Sequence, residues 1–311
     1  MSTLPLPAPT TPEPMTALPG RGPLRALVAL VRPYQWIKNL VLLPLPLLHP
    51  QVWNATGVLH LLGALAVFTV ASSIVYIGND IADRDRDRRH PIKRNRPLAA
   101  GQLTVSTAVV FGIVLLAVLA ALIALVEPLL AAPVLGYLAL NAAYSYGLKH
   151  VPVVEVFAVA VGFGLRLIAG YVAVHLDTSW WPTMGVFLLS VVVVLGKRRQ
   201  ELGLPDQAHR PALRGYTKGF LDQLVVLSAA LAVTTLLFFL ATYEFPFGVQ
   251  VMPLILPLTL LGLFRYLQIV SVSGGGGDPV RILVRDRIIL VSGALSAVIW
   301  LVLQLVVHDW L

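Results

Sequence analysis

The feature that most constrains this chain is the grouping of its apolar residues into long runs parted by short polar segments. A helix needs about 20 apolar residues to cross the hydrocarbon core of a bilayer. Nine runs approach that length, at roughly 30–48, 56–78, 105–126, 129–147, 151–173, 181–196, 220–242, 248–270 and 288–307. The first is interrupted by Pro33, Pro44 and Pro46, and the sixth is short. With 57% hydrophobic residues and a mean hydropathy of +0.81, the chain has too little polar surface to cover a water-exposed globule. The expected class is an all-α integral membrane protein with nine transmembrane helices. Residues 1–20 are proline-rich, carry no Lys or Arg, and read as a disordered tail rather than a secretory signal. Residues 21–311 then form a single transmembrane domain. The absence of cysteine excludes disulfides, iron–sulfur clusters and Cys-bound zinc.

A formal net charge of +8 raises the question of a nucleic-acid partner, and the placement of the charge answers it. Arg21, Arg25, Arg32 and Lys38 flank the first run. Arg84, Arg86, Arg88, Arg89, Lys93, Arg94 and Arg96 lie between runs two and three, and Lys149 between four and five. Lys197, Arg198, Arg199, Arg210, Arg214 and Lys218 lie between six and seven, and Arg265, Arg281, Arg285 and Arg287 between eight and nine. These are 22 of the 23 basic residues, all on alternate connectors. Such asymmetry sets membrane orientation: N-terminus cytoplasmic, C-terminus outside, and connectors 79–104, 197–219 and 271–287 capping the cytoplasmic face. The positive charge is directed at the bilayer, with no nucleic acid implied.

Topology does not account for the acidic residues in NDIADRDRDRRHPIKRNRPLAAG, residues 79–101. At about 100° per residue, Asp83, Asp87 and Asp80 fall roughly 40°, 80° and 100° from Asn79, so one helix face gathers three carboxylates and an amide. Asp85 points away. Tyr76 and Ser72 continue the same face into the membrane. Carboxylates so crowded call for a hard cation with oxygen ligands, and Mg²⁺ suits them because it leaves positions for water and substrate phosphate. Asn79, Asp80, Asp83 and Asp87 are the candidate ligands, and Lys93 and Arg96 the candidate phosphate holders.

The stretch Asn79-Asp80-x-x-Asp83-x-x-x-Asp87 resembles the aspartate-rich motif of the UbiA superfamily of intramembrane prenyltransferases. That resemblance implies about nine helices around a central cavity, with a magnesium-bound diphosphate under a cytoplasmic cap. Between Glu127 and Asp177 the only carboxylate is Glu155, so no second Asp cluster occurs there. The segment reads instead Tyr144-Ser145-x-x-Leu148-Lys149-His150-x-x-Val153-Val154-Glu155. With the continuation His90-Pro91-x-Lys93-x-x-Arg96-Pro97, it looks like the branch that takes phosphoribosyl diphosphate and a polyprenyl (decaprenyl) phosphate. Gln35-Trp36-x-Lys38-Asn39, Gly196-Lys197-Arg198-Arg199-x-Glu201 and Arg285-Asp286-Arg287 agree with that branch.

The resemblance implies transfer of a 5-phosphoribosyl group to the lipid phosphate with release of diphosphate, in a bacterial plasma membrane, for a cell-wall arabinan precursor. It also implies a homo-oligomer, a trimer being one form. Asp80, Asp83, Asp87 and Lys149 would carry the chemistry. Lys38, Asn39, Tyr76, Asn79, Lys93, Arg96, Tyr144, Ser145, Glu155, Arg166, Lys197 and Arg198 would bind substrate. Glu155 and Arg166 lie eleven residues apart on one helical face, too costly to expose to lipid, and are expected to face the cavity. The nearest alternative is an aromatic prenyltransferase using a prenyl diphosphate. A transporter predicts ionisable residues at mid-membrane, whereas most here crowd one face. The Gly274–Gly277 run lacks the GK[ST] continuation of a phosphate loop and reads as a linker. His90 and His209 are isolated.

Overall fold

The computed structural model describes residues 22–90, 93–203, 211–242, 248–272, 282 and 284–308. The 1–20 tail, the Gly274–Gly277 run and His209 lie outside the described residues. All regular structure among those described is helical. The helices are α1 (Pro23–Val31), α2 (Ala55–Ala82), α3 (Arg84–Arg88), α4 (Val105–Val126), α5 (Ala131–Tyr146), α6 (Val154–Ala173), α7 (Trp180–Glu201), α8 (Lys218–Thr242), α9 (Gly248–Ser271) and α10 (Arg287–His308). Seven helical segments, corresponding to α2 and α4–α9, are long and apolar enough to cross a membrane.

The first expected span is not an α-helix. Residues 33–52 form successive 3-10 turns, Pro33–Leu42, Pro46–Leu48 and Pro50–Val52, because the repeated prolines remove N–H donors and clash with a continuing α-helix. The segment nevertheless runs the length of α2. Arg32 meets Asp80 at one end, Asn39 meets Ser72 midway, and Val52 lies against Gly57 at the other. A 3-10 rise of about 2.0 Å per residue lets so few residues keep pace with a long α-helix. The sixth span is longer than expected: α7 continues to Glu201, so Lys197 and Arg198 belong to a helix and not to a loop.

Helix α6 is the keel. Its buried positions include Ala158, Ala160, Gly162, Ala169, Gly170 and Ala173, small residues that let neighbours approach its backbone. One core packs α2, α4, α5 and the 3-10 segment against the end of α6 that carries Ala169 and Ala173. A second packs α7, α8 and α9 against Val156 and Ala160. Amphipathic α1 buries Ala26 and Leu30 against Ile77 of α2 and the start of α4. Most of α4 faces outward, with Val110, Ile113 and Leu125 exposed as a lipid-facing helix requires.

The tightest of these approaches is at Gly170, where a Cβ would stand 2.3 Å from the Leu42 carbonyl oxygen. Gly170→Ala is expected to lower stability by about 1–3 kcal/mol through overpacking. Gly164→Ala, which meets nothing within 4 Å, should not lower it. Thermal unfolding of the two variants in detergent checks the pair.

Candidate active site

The C-terminal end of α2 carries the predicted carboxylates, but the regular helix stops at Ala82 and a bend at Asp83 (φ −95°, ψ 4°) leads into α3. Bonds from Asp83 N–H to the Asn79 carbonyl (2.9 Å) and from Asp87 N–H to the Asp83 carbonyl (2.8 Å) straddle the bend. They keep Asp87 close to the register that a continuous helix would give it. Asp80 and Asp87 are buried, while Asp85 is exposed and pairs with Arg88, as its opposite facing predicts.

Each carboxylate on the shared face meets a cation from elsewhere in the chain. Arg96 donates to both Asp80 (3.1 Å) and Asp87 (2.6 Å), so a single guanidinium bridges two acids. Arg32 also donates to Asp80 and lies over the Tyr76 ring, 5.1 Å from its centroid. Lys149 reaches Asp83 at 3.3 Å, and Arg86 reaches it at 3.4 Å. Next to them, the Ser145 hydroxyl donates to Asn79 Oδ1 at 2.5 Å, tying α5 to α2. Asn79 and Ser145 line a cavity of about 480 Å³ between these helices, walled by Ile74, Val75, Leu138 and Ala142.

Asn79, Asp80, Asp83, Asp87, Arg96, Ser145 and Lys149 are thus brought together. Deeper in the bundle lies a second polar group. Arg166, buried on α6, donates to Asn39 Oδ1 (2.7 Å), the Gly162 carbonyl (2.8 Å) and the Tyr137 hydroxyl (2.9 Å), and stacks on the Tyr137 ring. Asn39 in turn donates to Ser72 and Thr69. A third group joins α6 to α7: Arg198 holds Glu155 through two bonds of 2.6 and 2.8 Å and reaches Glu201 at 2.7 Å. Tyr144 lies within electrostatic reach of Arg198.

Glu155 and Arg166 therefore avoid lipid as expected. They do not line the Asn79–Ser145 cavity and do not meet each other; each is packed into its own network. Lys38 is half-buried beside Asn39, Lys93 is exposed on the loop, and Lys197 sits 3.9 Å from Glu201.

Sequence reasoning missed Arg32, Tyr137 and Thr69. Arg32 was absorbed into the count of basic flanking residues, although its position before Pro33 marks a helix end. Tyr137 and Thr69 are uncharged and lie within apolar runs, so only their place opposite Arg166 and Asn39 distinguishes them.

The oxygen donors of Asn79, Asp80, Asp83 and Asp87 are of the kind a hard divalent ion prefers, and Asn79 among them lines the cavity. Their charge is balanced by Arg32, Arg96 and Lys149, and no group of three or more His, Asp or Glu side chains poised to hold a metal lies among the described residues. The donor chemistry fits Mg²⁺, provided the arginine and lysine partners give way.

The fold and its long apolar helices define a helical, membrane-embedded protein, with acidic and basic side chains charge-matched at one end of the bundle. The chain belongs to the UbiA prenyltransferase family, whose pattern it matches over residues 46–273. It is 34% identical, over 89% of its length and 93% of the relative's, to the decaprenyl-phosphate phosphoribosyltransferase of Mycobacterium tuberculosis H37Rv. It is 32% identical to the Corynebacterium glutamicum protein of the same name, over 85% of this chain and 82% of that one. Its fold is similar to that of a UbiA homolog from Archaeoglobus fulgidus bound to GPP and Mg²⁺, with a TM-score of 0.68 and 19% identity. That match covers 91% of this chain and 99% of the other.

Breaking the buried Glu155–Arg198 pair by Glu155→Ala keeps the bond from Arg198 to Glu201 but strips two buried donors of their acceptor, and is expected to cost about 1–3 kcal/mol. Replacing both residues with apolar ones, as in Glu155→Leu with Arg198→Met, should recover most of that loss. Unfolding of both variants in detergent checks the prediction.

Proposed function

We propose that this protein transfers the 5-phosphoribosyl group of phosphoribosyl diphosphate to a polyprenyl phosphate of the decaprenyl type, releasing diphosphate. The observation that carries the reading is the cluster of Asp80, Asp83 and Asp87 with Arg32, Arg96 and Lys149 beside the Asn79–Ser145 cavity. Acids there suit a metal-bound diphosphate, and the cations around them suit its remaining phosphate oxygens. The similarity to phosphoribosyltransferases that use decaprenyl phosphate supports the choice of substrates.

Asn79, Asp80, Asp83 and Asp87 would hold magnesium, which when bound withdraws charge from the leaving diphosphate. Lys149 and Arg96 neutralise phosphate oxygens and hold the donor in place. The lipid phosphate is already an anion and attacks the anomeric carbon as the bond to diphosphate breaks, so no side chain need remove a proton. The rate enhancement then rests on positioning and electrostatic stabilisation. Asn39 and Lys38, on the 3-10 segment beside α2, are assigned to the lipid phosphate, and Tyr144, Lys197 and Arg198 to the donor side.

In this reading the 3-10 segment and α10 complete nine crossings, with the N-terminus and the charged cluster cytoplasmic and the C-terminus outside. The product feeds cell-wall arabinan synthesis in a bacterial plasma membrane, and the protein works as a homo-oligomer, a trimer being one form.

Purified protein given ribosyl-labelled phosphoribosyl diphosphate, decaprenyl phosphate and Mg²⁺ should place label in the lipid phase. Asp83→Asn should reduce that transfer by about a hundredfold or more, through lost charge stabilisation, without lowering the unfolding temperature. Label remaining in the aqueous phase, with prenyl groups transferred instead from a prenyl diphosphate to an aromatic acceptor, would overturn the reading.

A further inference from the structure

Between α5 and α6 the chain turns a corner that the proposed chemistry does not explain. Val153 adopts φ 66° and ψ −52°, and the Val154 N–H donates to the Pro152 carbonyl at 2.7 Å. These are the dihedrals and the bond of a γ-turn in its rare, strained form. A β-branched residue is the least suited to positive φ, and such a conformation persists only where its surroundings enforce it.

The enforcing contact comes from a distant part of the chain. The Val153 N–H donates to the Tyr216 hydroxyl at 2.5 Å. Tyr216 is buried, 6% exposed, and packs with Leu213 against Val156 and Ala160 of α6. Next to it, Gly215 leaves room for Pro152: a Cβ there would stand 2.4 Å from the proline ring. The segment 211–216 is thus shaped to grip this corner.

What the corner holds gives it a function. Lys149, on the 3-10 turn Leu148–His150 just before it, meets Asp83. Glu155, in the first turn of α6 just after it, meets Arg198. Reversing the sign of φ at Val153 would swing these two side chains relative to each other.

We infer that Tyr216 is a positioning residue: its hydroxyl locks the strained turn at Val153 and so holds Lys149 against Asp83. Lys149's part in transfer rests on the function proposed above, but its placement by Tyr216 does not. Without the hydroxyl, valine relaxes toward negative φ and Lys149 leaves its partner. Glycine at 153 tolerates positive φ unaided, so Val153→Gly should keep the corner in place even when the hydroxyl is missing.

The test reads Lys149 directly, in the full chain in detergent without substrate, as its rate of acetylation followed by mass spectrometry. Tyr216→Phe should raise that rate about tenfold, the scale set by one lost hydrogen bond to a constrained group. Val153→Gly alone should match the unsubstituted protein, and Tyr216→Phe with Val153→Gly should return to that rate. The inference is overturned by an unchanged rate in Tyr216→Phe, by a double variant as reactive as Tyr216→Phe, or by an equal rise at Lys38 and Lys197. Because labelling needs no turnover, failure of the unsubstituted protein to transfer phosphoribosyl counts against the function alone. In a working assay Tyr216→Phe should raise KM for phosphoribosyl diphosphate and leave KM for the polyprenyl phosphate unchanged.

Discussion

Carboxylates at the edge of a low-dielectric bundle must be matched by cations, or the charged state is lost. Here Asp80, Asp83 and Asp87 are matched by Arg32, Arg96 and Lys149, which come from three separate segments. The requirement therefore organises this end of the fold. It draws the 3-10 segment, the loop after α3 and the α5–α6 corner onto the end of α2. It also leaves the cluster near neutrality, so an anionic, metal-bound substrate exchanges one set of charge partners for another rather than entering an unbalanced site.

Helix α6 carries the second constraint. Its run of small residues lets it sit between two apolar cores, and that central place obliges its two charged side chains to find partners inside the protein. Arg166 is satisfied by neutral oxygens and aromatic faces, and Glu155 by a paired guanidinium. Both ties reach other elements, Asn39 on the 3-10 segment and Arg198 on α7, so the helix fixes the spacing between the two halves of the bundle.

Much of this was legible in the sequence because its signals are long or periodic. Apolar runs of membrane length located α2 and α4 through α10, and the Asn79–Asp87 spacing located the acidic face. The readings that failed did so where local chemistry overrode the period. Prolines turned the first span into 3-10 structure, and α7 ran past Gly196 because no breaker occurs before Gly203. The bend at Asp83 was invisible to a helical wheel, although the bonds spanning it preserved the grouping. Long-range partners were the least legible. Nothing near Asp80 or Asp87 in the chain specifies that Arg96 will bridge them. Nor does Tyr137 announce itself as the support of a buried arginine.

The most direct test of the account is a density map of the protein with phosphoribosyl diphosphate and Mg²⁺ bound. The account predicts the diphosphate and a metal ion at the Asn79–Asp87 face, with Lys149 on the phosphates and Arg96 no longer bridging Asp80 to Asp87. A donor bound elsewhere, with the Asp80–Arg96–Asp87 bridge intact, would contradict it.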